Sequence, residues 1–125
     1  CDITIFNRTI ERAEKLSQDV KCEFKNFEEI HKLDSDILIN TTSIGMFPDV
    51  DQTPVSKGIL KEGMIVFDAV YNPIETRLLR DAKEQGCHTV NGLSMFINQA
   101  AEQFRLWTGI DAPIELMTKV VKEML

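Results

Sequence analysis

Short runs of alternating or continuous apolar residues take turns with stretches whose apolar residues recur every three or four positions. That succession of strand-type and helix-type segments predicts an α/β domain with a parallel sheet. Asp2 to Asn7 alternates as a strand does. Thr9 stands where a helix cap belongs, ahead of Ile10, Ala13, Leu16 and Val20, with Glu11 in the first turn, where the helix dipole favours an acid. Lys21 to Phe24 reads as a short second strand, and Asn26 with Glu29 resembles a capping box opening a helix with Phe27, Ile30 and Leu33 on one stripe. The run Ile37-Leu38-Ile39, within Asp36 to Asn40, predicts a strand buried on both faces.

Thr41 to Gly63 carries Gly45, Pro48, Pro54 and Gly58 and reads as loop with at most one short helical turn. Met64 to Val70 is a further buried strand. Beyond Asn72-Pro73, Leu78, Leu79 and Ala82 mark a helix ended by Gly86, and Cys87 to Val90 is the last strand. Ser94 is placed to cap the strongest helix, which carries Ile97, Ala100, Ala101 and Phe104 and stops at Gly109. Trp107, near its end, reads as a core anchor. Asp111 and Pro113 open a final amphipathic helix with Ile114, Met117, Val121 and Met124.

Composition narrows the class. The 125 residues carry 14 Lys and Arg against 20 Asp and Glu, a formal charge of −6, so a basic footprint for nucleic acid is lacking and any anionic ligand must be held locally. No apolar run approaches the roughly 20 residues that cross a bilayer, and no signal-peptide layout opens the chain. The expectation is a soluble, cytoplasmic protein without membrane or nucleic-acid partners. Cys1, Cys22 and Cys87 have no ligand spacing and are expected to be reduced, mostly buried thiols; with His31 and His88 isolated, no metal site is expected. The chain begins at Cys1 with residues 2–6 already strand-like, which reads as a piece of a longer protein.

Candidate chemistry gathers where strands end, because ligands of open α/β sheets bind outside the carboxyl ends of the strands. At the first junction stand Asn7, Arg8 and Thr9. In a dinucleotide-binding fold an acid here reads a free ribose 2′-hydroxyl, whereas an Arg accommodates a 2′-phosphate, so the reading is NADP over NAD. The same three residues also make an ordinary turn and cap. Asn40-Thr41-Thr42-Ser43 with Gly45 follows the next buried strand and suits either a cofactor wall or a plain polar loop. Tyr71, the single tyrosine, offers a phenol to a hydroxylated substrate or simply packs. Asp68 beside it is read as a cap for local amides. Gly92 would permit close approach of a flat ring, Met95 offers it a soft surface, and Gln99 lies one turn further along with an amide that both donates and accepts.

Four segments together, ITIFNRTIERAEKL at 3–16, DILINTTSIGMFP at 36–48, VFDAVYNPIETRLLRDAKEQG at 66–86 and VNGLSMFINQAAEQFRLWTG at 90–109, resemble in order the C-terminal half of shikimate dehydrogenases. The resemblance implies a Rossmann-like doubly wound parallel sheet that binds NADP, in an enzyme reducing 3-dehydroshikimate reversibly to shikimate. By the same resemblance Asn7, Arg8 and Thr9 hold the adenosine 2′-phosphate, and Asn40 and Thr41 lie beside the cofactor. Gly92 and Met95 touch the nicotinamide, while Tyr71 and Gln99 touch the substrate. The family's glycine-rich turn, on the first strand and helix of this domain, would precede Cys1. So would its substrate domain, with the Lys and Asp used at the reacting hydroxyl, and no catalytic residue is assigned within 1–125.

Residues 1–110 are thus expected to form a partial NADP-binding domain. Residues 111–125 are expected to form a C-terminal helix packing back toward the N-terminal domain, with a homodimer left open. In the strand order 3-2-1-4-5-6 the first strand is central, so its absence from 1–125 predicts two separated groups of strands. A quinate/shikimate dehydrogenase, the nucleotide domain of glutamyl-tRNA reductase and a non-catalytic NADP-binding regulatory module are the competing readings. The NTTSIGM and NGLSMFINQAA segments count against the second.

Overall fold

In the computed structural model, which describes residues 1–125, the predicted alternation is realised as parallel strands joined by helices. The elements are β1 (Thr4–Asn7), α1 (Ile10–Val20), β2 (Glu23–Asn26), a 3-10 helix (Phe27–Lys32), β3 (Ile37–Asn40), a 3-10 turn (Lys57–Ile59), β4 (Ile65–Asp68), α2 (Arg77–Glu84), β5 (His88–Val90), α3 (Gly92–Thr108) and α4 (Ile114–Met124). The strands form two sheets, β1-β2 and β3-β4-β5, every pairing parallel. This is the separation expected of the strand order when its central member is not among these residues. The chain divides into two compact units, Cys1–Asp34 and Ser35–Leu125.

In the first unit α1 packs on β1 and β2, burying Ala13 and Ser17. Strand β2 begins two residues later than the sequence pattern predicts. Lys21 closes α1 in the left-handed region (φ 55) with its N–H on the Ser17 carbonyl, so extended pairing starts only where Glu23 N–H reaches the Ile3 carbonyl at 3.1 Å. The capping box is half formed. Asn26 Oδ1 accepts from Glu28 N–H, and the helix it opens is 3-10 rather than α.

In the second unit Leu38, Val66, Leu78, Leu79 and Ala82 share a core with Val55, Ile59 and Leu60 of the long loop. Thr76 caps α2 by accepting from Leu79 N–H. The expectation that β3 is buried on both faces is corrected. Its residues alternate, with Leu38 and Asn40 buried but Ile37 53% and Ile39 58% exposed, because the core of this unit covers only one face of the sheet. Trp107 is likewise no core anchor: it is 80% exposed, since α3 runs on past the elements that cover its Leu93, Ile97 and Ala101. Only Cys87 of the three thiols is buried, and burial pushes its thiol above the usual range. Helix α4 packs on α3. No helix is long and apolar enough to cross a membrane, and no group of His, Cys, Asp and Glu is arranged to hold a metal ion.

Candidate functional site

Each predicted junction lies where it was expected, at the carboxyl end of a parallel strand or just beyond it. In the first unit β1 ends at Asn7, whose Oδ1 accepts from Thr9 N–H at 2.9 Å. This local turn throws Arg8 outward. Arg8 is exposed and makes no ion pair or hydrogen bond within the chain. Thr9 occupies the cap position but makes no side-chain cap bond, which corrects its expected role. Its hydroxyl and the first amides of α1 are left without partners, and such a helix start favours an anion.

In the second unit the ends of β3 and β4 are joined by a buried polar network. Asn40 is 3% exposed. Its Nδ2 donates to Asp68 Oδ1 at 2.9 Å and to the Ile44 carbonyl at 3.4 Å, while its Oδ1 accepts from Thr42 N–H at 3.0 Å and Thr42 Oγ1 at 2.7 Å. The side chain expected to face a cofactor is therefore fully engaged inside the fold, and what it presents outward is the shaped Thr41–Ser43 segment. Asp68 is wholly buried; its Oδ1 also accepts from Val70 N–H at 3.0 Å and its Oδ2 from Thr76 Oγ1 at 2.6 Å. The sequence reading of Asp68 as a cap for local amides catches only the Val70 bond. It misses Thr76, although a Thr three residues before Leu79 at a helix start is a recognisable cap signal.

Above this network the segments Thr41–Phe47 and Ala69–Asn72 form two walls of an open groove of about 430 Å³, lined by Thr41, Thr42, Ser43, Met46, Phe47 and Tyr71 among others. Phe47 N–H donates across the walls to the Asn72 carbonyl at 3.0 Å. The Tyr71 ring stacks on Phe96 of α3, with centroids 4.3 Å apart and planes 20° from parallel. The Tyr71 hydroxyl and the Thr41 hydroxyl make no bond within the chain, so both are free to meet a ligand.

Helix α3 starts earlier than predicted. Asn91, not Ser94, is its cap: Asn91 Oδ1 accepts from Leu93 N–H at 3.2 Å, and Ser94 lies within the first turn. Gly92, the first residue of α3, is the contact between this helix and the end of β4. A Cβ built on it would stand 2.3 Å from the Ala69 carbonyl oxygen and 2.8 Å from that of Val70, so the absence of a side chain lets the helix start lie against this backbone. Met95 and Gln99 are exposed on α3 and do not line the groove. The structure thus brings Asn40, Thr41, Tyr71 and Gly92 together around the β4 end. Asn7, Arg8 and Thr9 stand at the separate β1 end of the first unit.

Comparison with known proteins extends over nearly the whole chain. The Shikimate 5'-dehydrogenase C-terminal domain family matches residues 92–122. A shikimate dehydrogenase (NADP(+)) of Methanosarcina mazei is 46% identical over 134 aligned residues, covering 99% of this chain and 48% of the relative. Over almost its whole length the chain is similar to shikimate dehydrogenases. Among solved structures, shikimate 5-dehydrogenase from Thermus thermophilus in complex with NADP(H) and shikimate matches with a TM-score of 0.85 at 31% identity, covering 99% of this chain and 46% of that one. Quinate dehydrogenase from Corynebacterium glutamicum in complex with NAD matches with a TM-score of 0.87 at 30% identity over 98% of this chain and 46% of that one. The chain thus spans about half the length of the shikimate dehydrogenases it matches.

Proposed function

We propose that this chain is the nucleotide-binding half of an NADP-dependent shikimate dehydrogenase, which reduces 3-dehydroshikimate reversibly to shikimate. The observation that carries the reading is the unpartnered Arg8 beside the open start of α1, within a chain related end to end to NADP-dependent shikimate dehydrogenases. A guanidinium, a hydroxyl and free helix amides suit a dianionic ribose 2′-phosphate. NADP, when bound, supplies or takes the hydride. The chain's own residues hold and orient: Arg8, Thr9 and the α1 amides grip the phosphate, with Asn7 fixing the turn. Thr41, on the wall that Asn40 shapes, flanks the cofactor, and Gly92 and Met95 bound the nicotinamide end. Tyr71 and Gln99 offer a phenol and an amide to the substrate hydroxyls. The group that transfers the proton lies outside 1–125, in a substrate domain toward which α4 packs.

A homodimer and a cytoplasmic location belong to the same reading. The likeness to a quinate dehydrogenase in complex with NAD supports a second reading, in which quinate and NAD are used, and Arg8 favours the first. Calorimetric titration of the full-length protein separates them. NADP⁺ is expected to bind at least tenfold more tightly than NAD⁺, and equal affinity or a preference for NAD⁺ would contradict the assignment of the β1 end.

A further inference from the structure

We propose that Asp68 is a positioning residue that sets the spacing of the two groove walls and thereby the placement of the substrate. The proposal rests on the reading of Tyr71, on one wall of this groove, as a substrate contact of a shikimate dehydrogenase, with the Thr41 wall flanking the cofactor. Three donors converge on this buried carboxylate from three parts of the fold: Asn40 Nδ2 at the end of β3, Val70 N–H on the way to Tyr71, and Thr76 Oγ1 at the start of α2. A carboxylate only accepts, so it fixes the Asn40 amide with its nitrogen inward and its oxygen toward Thr42. The Thr42 hydroxyl in turn accepts from Ile44 N–H at 3.1 Å. One wall thus hangs from Oδ1 through Asn40, and the other hangs from the same oxygen through Val70. The two walls move as one only while Oδ1 holds both donors.

Asparagine has nearly the same shape but cannot serve three donors. If its oxygen faces Asn40 and Val70, its amide meets Thr76, whose proton loses the carboxylate oxygen that accepted it, and a neutral amide oxygen holds the two wall donors more weakly than a carboxylate does. If the amide turns over, its N–H groups confront those of Asn40 and Val70. Either way a buried donor is stranded and the clamp loosens.

The test is Asp68→Asn in the full-length protein, read in two ways. Shikimate KM is expected to rise at least tenfold, whereas simple loss of folded protein would lower the apparent kcat and leave KM alone. Amide hydrogen exchange at Thr42 and Val70 is expected to quicken at least tenfold with exchange at Val66 unchanged. Asn40→Ala, which cuts one wall only, is expected to quicken Thr42 and leave Val70 as it was, and this variant decides the matter if Asp68→Asn does not fold. Unchanged exchange at Thr42 in Asn40→Ala, or at both amides in Asp68→Asn, overturns the clamp. An unchanged shikimate KM in folded, active Asp68→Asn overturns its role in the reaction. If the unsubstituted protein does not oxidise shikimate, the functional reading falls, and the exchange data still decide whether Asp68 holds the walls.

Discussion

Replacing Arg8 by Ala in the full-length protein is expected to raise the KM for NADP⁺ by roughly 10- to 100-fold, the equivalent of about 1.5–3 kcal/mol for charge-assisted hydrogen bonds to a phosphate. Use of NAD⁺ should barely change, because NAD⁺ lacks the 2′-phosphate that the guanidinium grips. The loss is confined to one side of the cofactor since Arg8 is exposed and has no partner inside the chain whose removal would disturb the fold. Arg8→Lys should recover only part of the affinity, as an ammonium keeps the charge but not the paired donors. Steady-state kinetics with both cofactors checks this, and equal losses with NADP⁺ and NAD⁺ would place the 2′-phosphate elsewhere.

Gly92→Ala is expected to be the most damaging single-methyl change in the second unit, with a stability loss of about 3 kcal/mol, at the upper end for overpacking. The new Cβ would meet the backbone of Ala69 and Val70, which has no flexible side chain to yield. Helix α3 must therefore back away from the β4 end, and the Tyr71–Phe96 stack must open with it. Gly58→Ala is the control. A Cβ there meets nothing within 4 Å, and its effect should stay within about 0.5 kcal/mol, as for ordinary surface changes. Thermal melts of both variants against the parent are sufficient, and a Gly92→Ala protein melting with the parent would remove the close contact from the account.

Much of this arrangement is legible in the sequence because it is local. Periodicity and strand-end polar residues locate β1, β3, β4 and α3 and the junctions beyond them, and the 3-2-1-4-5-6 order accounts for two sheets rather than one. What is not legible depends on partners far away in the chain. An Ile-Leu-Ile run looks the same whether one face or both faces are covered, so the exposure of Ile37 and Ile39 does not show in the pattern. Asn91 and Ser94 are both good caps, and the choice between them is made by how closely Gly92 packs on Ala69. The convergence on Asp68 joins residues 8 and 28 positions away, and no pattern of spacing reports that a carboxylate is buried. For Asn40 the residue type does not report its contacts, which hold the Thr41–Ser43 wall from inside the fold.

The central claim, that this chain is half of an NADP-dependent shikimate dehydrogenase, is tested most directly by one rate measurement on the full-length protein: the appearance of NADPH absorbance with shikimate and NADP⁺, run beside quinate and NAD⁺. A rate with shikimate and NADP⁺ at least tenfold above every other pairing is the result expected. A higher rate with quinate or with NAD⁺, or NADP⁺ binding without turnover of either substrate, would contradict it.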